Sequence, residues 1–123
     1  MKFILDTHIL LWWLADDKKL SLQMREIIAA PKNIVYVSSV NIWEIEIKKS
    51  LGKLDAPEIN SKIIAECQFE ELPVYIKHVT ALKSLPHYHN DPFDRLLICQ
   101  SIIEKAKLLT DDNLIAKYQL NEF

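Results

Sequence analysis

Short apolar runs with strand character alternate with helical segments along this chain, and that alternation restricts the fold more than any other feature. Residues 2–5, built on Phe3-Ile4-Leu5, read as a short buried strand, and residues 8–15 follow as a helix that is apolar all round. Ile34-Val35-Tyr36-Val37 is β-branched and aromatic, hence a strand. Ser38 or Ser39 then caps a helix that runs to Leu51 and stops at Gly52, the only glycine. Lys107–Thr110 is the last clear strand, before a short helix over 112–118. Between these lie helices from Ser21 to about Ala30, over 58–67 and over 74–84, with a short strand near Phe69–Leu72. Another helix opens at Asp91-Pro92, where proline suits the first helical position, and continues to about Lys105. Gln119–Phe123 is ambiguous. Strands separated by helices build a parallel sheet, so the fold class is α/β. With 123 residues, half of them hydrophobic, and no linker or repeat, residues 1–123 form one domain.

Charge narrows the function. The chain has 15 basic and 17 acidic residues and a net charge of −2, which is not the footprint of a protein that binds nucleic acid by bulk charge. A polyanion would have to bind a local basic patch or cations held by acids. Cys67 and Cys99 are far apart, in apolar helical contexts and without CxxC spacing, and read as buried thiols in a reducing compartment. Lys2 precedes an apolar stretch, but Asp6 and His8 interrupt it and no small-residue cleavage site follows. No segment is long enough to span a membrane. The expected location is cytoplasmic.

Four acids carry the chemistry. Asp6 follows the first strand and Asp112 the last, and ligands of parallel sheets bind beyond the carboxyl ends of strands. Asp111 competes with Asp112 for that place, and Asp6 and either of these two also suit a helix N-cap, the more expected role of Asp111. Glu44 falls in the stripe Val40, Trp43, Ile47 and Leu51 of its helix, where an acid is costly unless paired with a cation; a salt bridge to lysine or arginine would serve equally. Ile42 and Ile45 make the other side of that helix apolar too. Asp94 lies in the first turn of its helix, behind the expected cap Asp91, where the helix dipole favours any carboxylate. Gathered together, four carboxylates are unfavourable unless cations occupy the cluster or some protonate. Magnesium and similar hard ions take such oxygen ligands.

The stretches Leu5–Trp12, Ser39–Ile45, His89–Ile98 and Leu109–Asp112 resemble the PIN domain, specifically the VapC-type toxin ribonucleases of type II toxin–antitoxin systems. The resemblance implies a PIN-like three-layer sandwich, with a central parallel sheet of four to five strands between helices. It implies Mg2+- or Mn2+-dependent RNA cleavage leaving 5′-phosphate and 3′-hydroxyl ends. Asp6, Glu44, Asp94 and Asp112 match the family's four catalytic and metal-binding acids. Thr7 and Thr110 would hydrogen-bond those carboxylates or a water, with Asp91 and Arg95 in support. The family pattern continues into a last strand, which here would be short or missing. Implied partners are RNA, a small inhibiting antitoxin and a second copy in a homodimer, with Trp12 and Trp13 offering an apolar surface that plain core packing explains equally.

Competing readings are weaker. His87 and His89 flank Tyr88 without the further ligands of a zinc site, so substrate contact, support or exposure suits them better. Lys48, Lys49 and Lys53, with Arg95 close to the acids in sequence, would hold RNA phosphates, or the lysines simply form a solvated face. A phosphoryl-transfer protein built on Asp6, of the dehalogenase-like phosphatase kind, needs a second aspartate where His8 stands. A binding module with the fold but no catalysis would have no evident reason to keep all four acids.

Overall fold

The computed structural model describes residues 1–122, with side chains through Tyr118. Its elements run β1 (Lys2–Leu5), α1 (Thr7–Ala15), α2 (Leu22–Ala29), β2 (Ile34–Ser38), α3 (Ser39–Ser50), α4 (Ser61–Glu66), β3 (Glu70–Leu72), α5 (Ile76–Thr80), a 3-10 turn (Ala81–Ser84), α6 (Pro92–Glu104), β4 (Lys107–Leu109) and α7 (Asn113–Glu122). The four strands lie in the order β3-β2-β1-β4 and every pairing is parallel. Ile4 faces Tyr36 on one side and Leu108 on the other, so β1 is central.

Alternation along the strands divides the interior into two cores. Phe3, Leu5, Val35, Val37 and Leu109 point to one face and pack with Ile9, Leu10, Ile28 and Ile64 from α1, α2 and α4. Ile4 and Leu108 point to the other, against Leu96, Leu97, Ile98 and Cys99 of α6 and Ile115 and Tyr118 of α7. Burial on both faces explains why the strands are continuous apolar runs. The edge strand β3 exposes Glu70 and Glu71, charges that discourage pairing with another chain.

Most boundaries agree with expectation, and the departures have local causes. Asn60 caps α4 by accepting from Ile63 N at 3.1 Å, so that helix is shorter than 58–67. The helix expected over 74–84 breaks into α5 and the 3-10 turn. Helix α7 runs past the expected end at 118 through residues 119–122, in place of a short last strand, and Phe123 lies outside the described residues. The apolar stripe of α3 is corrected: Val40, Asn41, Glu44 and Ile45 are buried, while Trp43 is 52% and Leu51 61% exposed. Ile45 on the second apolar side, not Trp43, enters the core. Glu44 is nevertheless on the buried face. In α1, Trp12 and Trp13 are half-buried and pack against the first core, as plain core packing requires. Cys99 is buried, Cys67 half-buried, and both thiols are free.

Candidate metal centre

The chain runs from β1 to β2 to β3 in one direction and then crosses to β4 on the far side of β1. That reversal opens a crevice beyond the carboxyl ends of β1 and β4, the usual ligand position in open α/β sheets. Asp6 is the first residue after β1; Thr110 and Asp112 follow β4. Asp6 N donates to Leu109 O at 3.0 Å, continuing the ladder and bringing the two strand ends together.

Asp6 stands at the N-cap of α1, yet its carboxylate makes no capping bond. Oδ2 instead accepts from Thr110 Oγ1 at 2.8 Å, and Thr110 Oγ1 in turn accepts from Asp112 N at 3.0 Å. One hydroxyl therefore sets both acids. Asp6 is 3% exposed, and burial pushes its carboxyl above the usual range; the charge of Glu44 adds to this, while Thr110, His8 and the Thr7 backbone oppose it. The Thr7 side chain has another task, accepting from Asn41 Nδ2 at 3.0 Å.

Asn41 explains how α3 is aimed. Its Nδ2 also donates to Leu5 O at 3.0 Å, and its Oδ1 accepts from Ser38 N at 2.8 Å. The first turn of α3 is thereby locked to the end of β1. Glu44, on the same helix face as Asn41, is 4% exposed. Its Oε2 meets Lys48 Nζ at 2.6 Å, one helical turn on. Its Oε1 is buried with no hydrogen-bond partner, the one such side-chain atom among the described residues. A buried carboxylate oxygen without a donor is costly, and a cation would relieve it.

Asp91 caps α6, its Oδ1 accepting from Phe93 N at 2.9 Å and Asp94 N at 3.0 Å. This frees the Asp94 carboxylate to leave the helix end. Burial, then the charges of Asp6 and Asp91, push its carboxyl up to about 7, with Glu44 adding and His89 opposing. Asp94 Oδ2 lies 3.0 Å from His89 Nε2, which is also 3.2 Å from Asp112 Oδ2. Asp112 Oδ1 caps α7, accepting from Leu114 N at 2.8 Å and Ile115 N at 3.4 Å. Burial raises the Asp112 carboxyl, but these donors and His89 outweigh it and hold it below the usual range.

Asp6, Glu44 and Asp94 are near enough for their charges to act on one another, and Asp112 shares His89 with Asp94, with unequal surroundings. Among the described residues, the ligand atoms of His89, Asp94 and Asp112 lie within 4.8 Å of one another. Asp6 and Glu44 stand outside that tight group, yet their charges act on Asp94. Sequence reasoning underrated His89 and missed Asn41. The capping expected of Asp111 belongs to Asp112, the residue directly before α7. Arg95 is corrected too: it is 9% exposed and donates to the backbone carbonyls of Pro86, His89 and Leu85 at 3.0, 3.2 and 3.3 Å. It holds the loop before α6 and is not free to meet a phosphate. Lys48 is engaged by Glu44, Lys49 is half-buried and Lys53 is exposed. His87 is exposed and apart from the acids.

The PIN domain family model matches residues 3–120, and the chain belongs to that family. A solved structure described as VapBC2 from Rickettsia felis bound to a DNA fragment from their promoter is similar in fold. The TM-score is 0.62 at 16% identity, over 91% of this chain and 88% of that one. No curated protein sequence matches. No helix among the described residues is long and apolar enough to cross a membrane.

Proposed function

We propose that this protein is a divalent-cation-dependent endoribonuclease acting as the toxin of a toxin–antitoxin pair. The observation that carries the reading is the buried, unpartnered Oε1 of Glu44 beside two further acids, Asp6 and Asp94, whose carboxyls are pushed upward. Membership of the PIN family and the likeness to VapBC2 support it.

The donor set is all oxygen, which fits Mg2+ or Mn2+ better than softer ions. Asp6, Glu44 and Asp94 would hold the ion. Asp112 stands behind them, because both of its oxygens already have protein partners. When bound, the ion supplies charge to polarise a phosphodiester and to activate water. Thr110 orients Asp6, Asn41 aims α3 so that Glu44 faces the crevice, and Lys48 balances part of the negative charge. Asp94 would give up its proton on loading, since ligating carboxylates are ionised. The partners expected are RNA and a small antitoxin, with a homodimer as the working assembly and the cytoplasm as its place. Trp43, half exposed beside Glu44, lines two apolar grooves that suit a partner protein.

The test is cleavage of RNA with Mg2+ or Mn2+, with and without EDTA, by the wild type and by Asp6→Ala and Glu44→Ala. Cutting should require the ion and vanish in both variants. Cutting that survives either substitution or the chelator overturns the assignment. Co-expression with the product of an adjoining small reading frame should suppress toxicity and yield a stable complex.

A further inference from the structure

His89 occupies an unusual position, with one ring nitrogen facing a donor and the other facing two acceptors. Nδ1 lies 3.0 Å from the backbone N of Asp91. That N–H donates, so Nδ1 must present its lone pair. A neutral imidazole carries one proton, which therefore sits on Nε2. Nε2 donates to Asp112 Oδ2 at 3.2 Å and lies 3.0 Å from Asp94 Oδ2. The ring thus stands between an acid of α6 and an acid that follows β4, with its N–H given to the latter.

The loop bearing this ring is itself pinned. His89 N donates to Tyr118 Oη at 2.9 Å, and His89 O accepts from Arg95 Nη1 at 3.2 Å. Tyr118 Oη donates to Pro86 O at 2.6 Å, so α7 and α6 grip the same segment. A side chain that was merely exposed in a loop would need no such framework.

From this arrangement, and resting on the metal-centre reading above, we propose that His89 is a positioning residue that holds Asp112 through Nε2–H with Asp94 packed beside the ring, and does not ligate the metal. Ligation through Nε2 would require the proton to move to Nδ1. There it would oppose the Asp91 N–H and break the bond that orients the ring. With Asp112 held by that donor and Asp94 against the same ring, His89 keeps α6 and the end of β4 in register around the crevice.

Three substitutions separate the roles of the ring. His89→Gln keeps a donor near the Nε2 position, His89→Asn keeps at most the contact with Asp91 N, and His89→Ala keeps neither. The probe is Mn2+ binding to the intact protein, measured by calorimetry without RNA. Loss of an outer support of this kind weakens metal affinity by about 10- to 100-fold. His89→Ala and His89→Asn should fall in that range, with His89→Gln within about threefold of wild type on the same scale. Nitrogen-15 spectra of the metal-free wild type should show a protonated Nε2 and a bare Nδ1, and Mg2+ should leave that pattern in place.

Tighter binding by His89→Ala would make the ring an obstruction and overturn the proposal. So would a His89→Gln as weak as His89→Ala, or a deprotonated Nε2 once Mg2+ is added. The spectra decide the ring's role even if a variant fails to fold. They also do so if the protein cuts no RNA. Absence of any Mn2+ binding by the wild type would instead sink the metal-centre reading, leaving the proton pattern of the metal-free protein to decide the clamp.

Discussion

Replacing Glu44 by Gln should make the metal-free protein more stable and the metal-loaded protein relatively less so. Glu44 is 4% exposed, its Oε1 has no partner, and the charges of Asp6 and Asp94 lie nearby. A buried unsatisfied polar atom costs about 1–3 kcal/mol, and a charged one lies toward the upper end. Against this, glutamine weakens the contact with Lys48. The lysine side chain is 37% exposed, so that pair contributes only about 0.5–1 kcal/mol. The balance is a gain of about 1 kcal/mol in EDTA, which for a domain of this size raises Tm by about 4 °C. Wild type in Mg2+ at about 100 times its Kd should gain about 2.7 kcal/mol, and Glu44→Gln should gain little of it. Thermal melts of both proteins in EDTA and in Mg2+ should therefore cross in rank. If Glu44→Gln is the less stable protein in EDTA, the orphaned oxygen is not the strain described here. If Mg2+ leaves the wild-type melt unchanged, the crevice is not a cation site.

Other perturbations test the surrounding structure. Asp94 has its carboxyl pushed up to about 7, against an ordinary value of 3.8. The folded state therefore retains a proton that the unfolded state has lost, and metal-free stability should fall as pH rises from about 4 through 7. Asp94→Asn should flatten that slope in denaturant titrations, and Mg2+ binding at pH 6 should release protons into a weakly buffered solution. Glu104 shows the opposite sign. Its carboxyl is held below 4.5, first by the hydrogen bond from buried His78 and then by Lys77, with burial opposing. Its stabilisation is present above that value and lost as pH falls through the depressed one. Glu104→Ala should cost about 1–2 kcal/mol at pH 7, chiefly from the donor left unpaired at His78, and less at pH 3. Arg95→Met should cost about 2–3 kcal/mol and increase amide exchange across residues 85–91, because three backbone carbonyls lose a charged donor. Unchanged exchange there would show that the loop holds itself.

Much of the architecture is legible in one dimension, for a physical reason. Strand character at Phe3–Leu5 and Ile34–Val37, serine caps, Pro92 and Gly52 all act over a few residues, so local chemistry announces them. The parallel sheet follows because helices intervene between the strands. The buried face of α3 was less legible. The helix is apolar on two sides, and periodicity cannot tell which one meets the sheet. Contact with the end of β1 through Asn41 decides it, burying Ile45 and leaving Trp43 half outside.

The site divides in the same way. That Asp6, Glu44, Asp94 and Asp112 deserve notice can be read from their places after strands and within helices. Which of them caps a helix cannot, since Asp112 took that role while Asp6, equally well placed before its helix, turned its carboxylate to Thr110. Local pattern alone determined the α/β order of elements and the candidate acids. Only the packed structure decided that β4 lies beside β1, that Thr110 joins Asp6 to Asp112, and that the His89 ring stands between two acids. These contacts span up to 104 positions along the chain, and no periodicity within a helix or strand reaches that far.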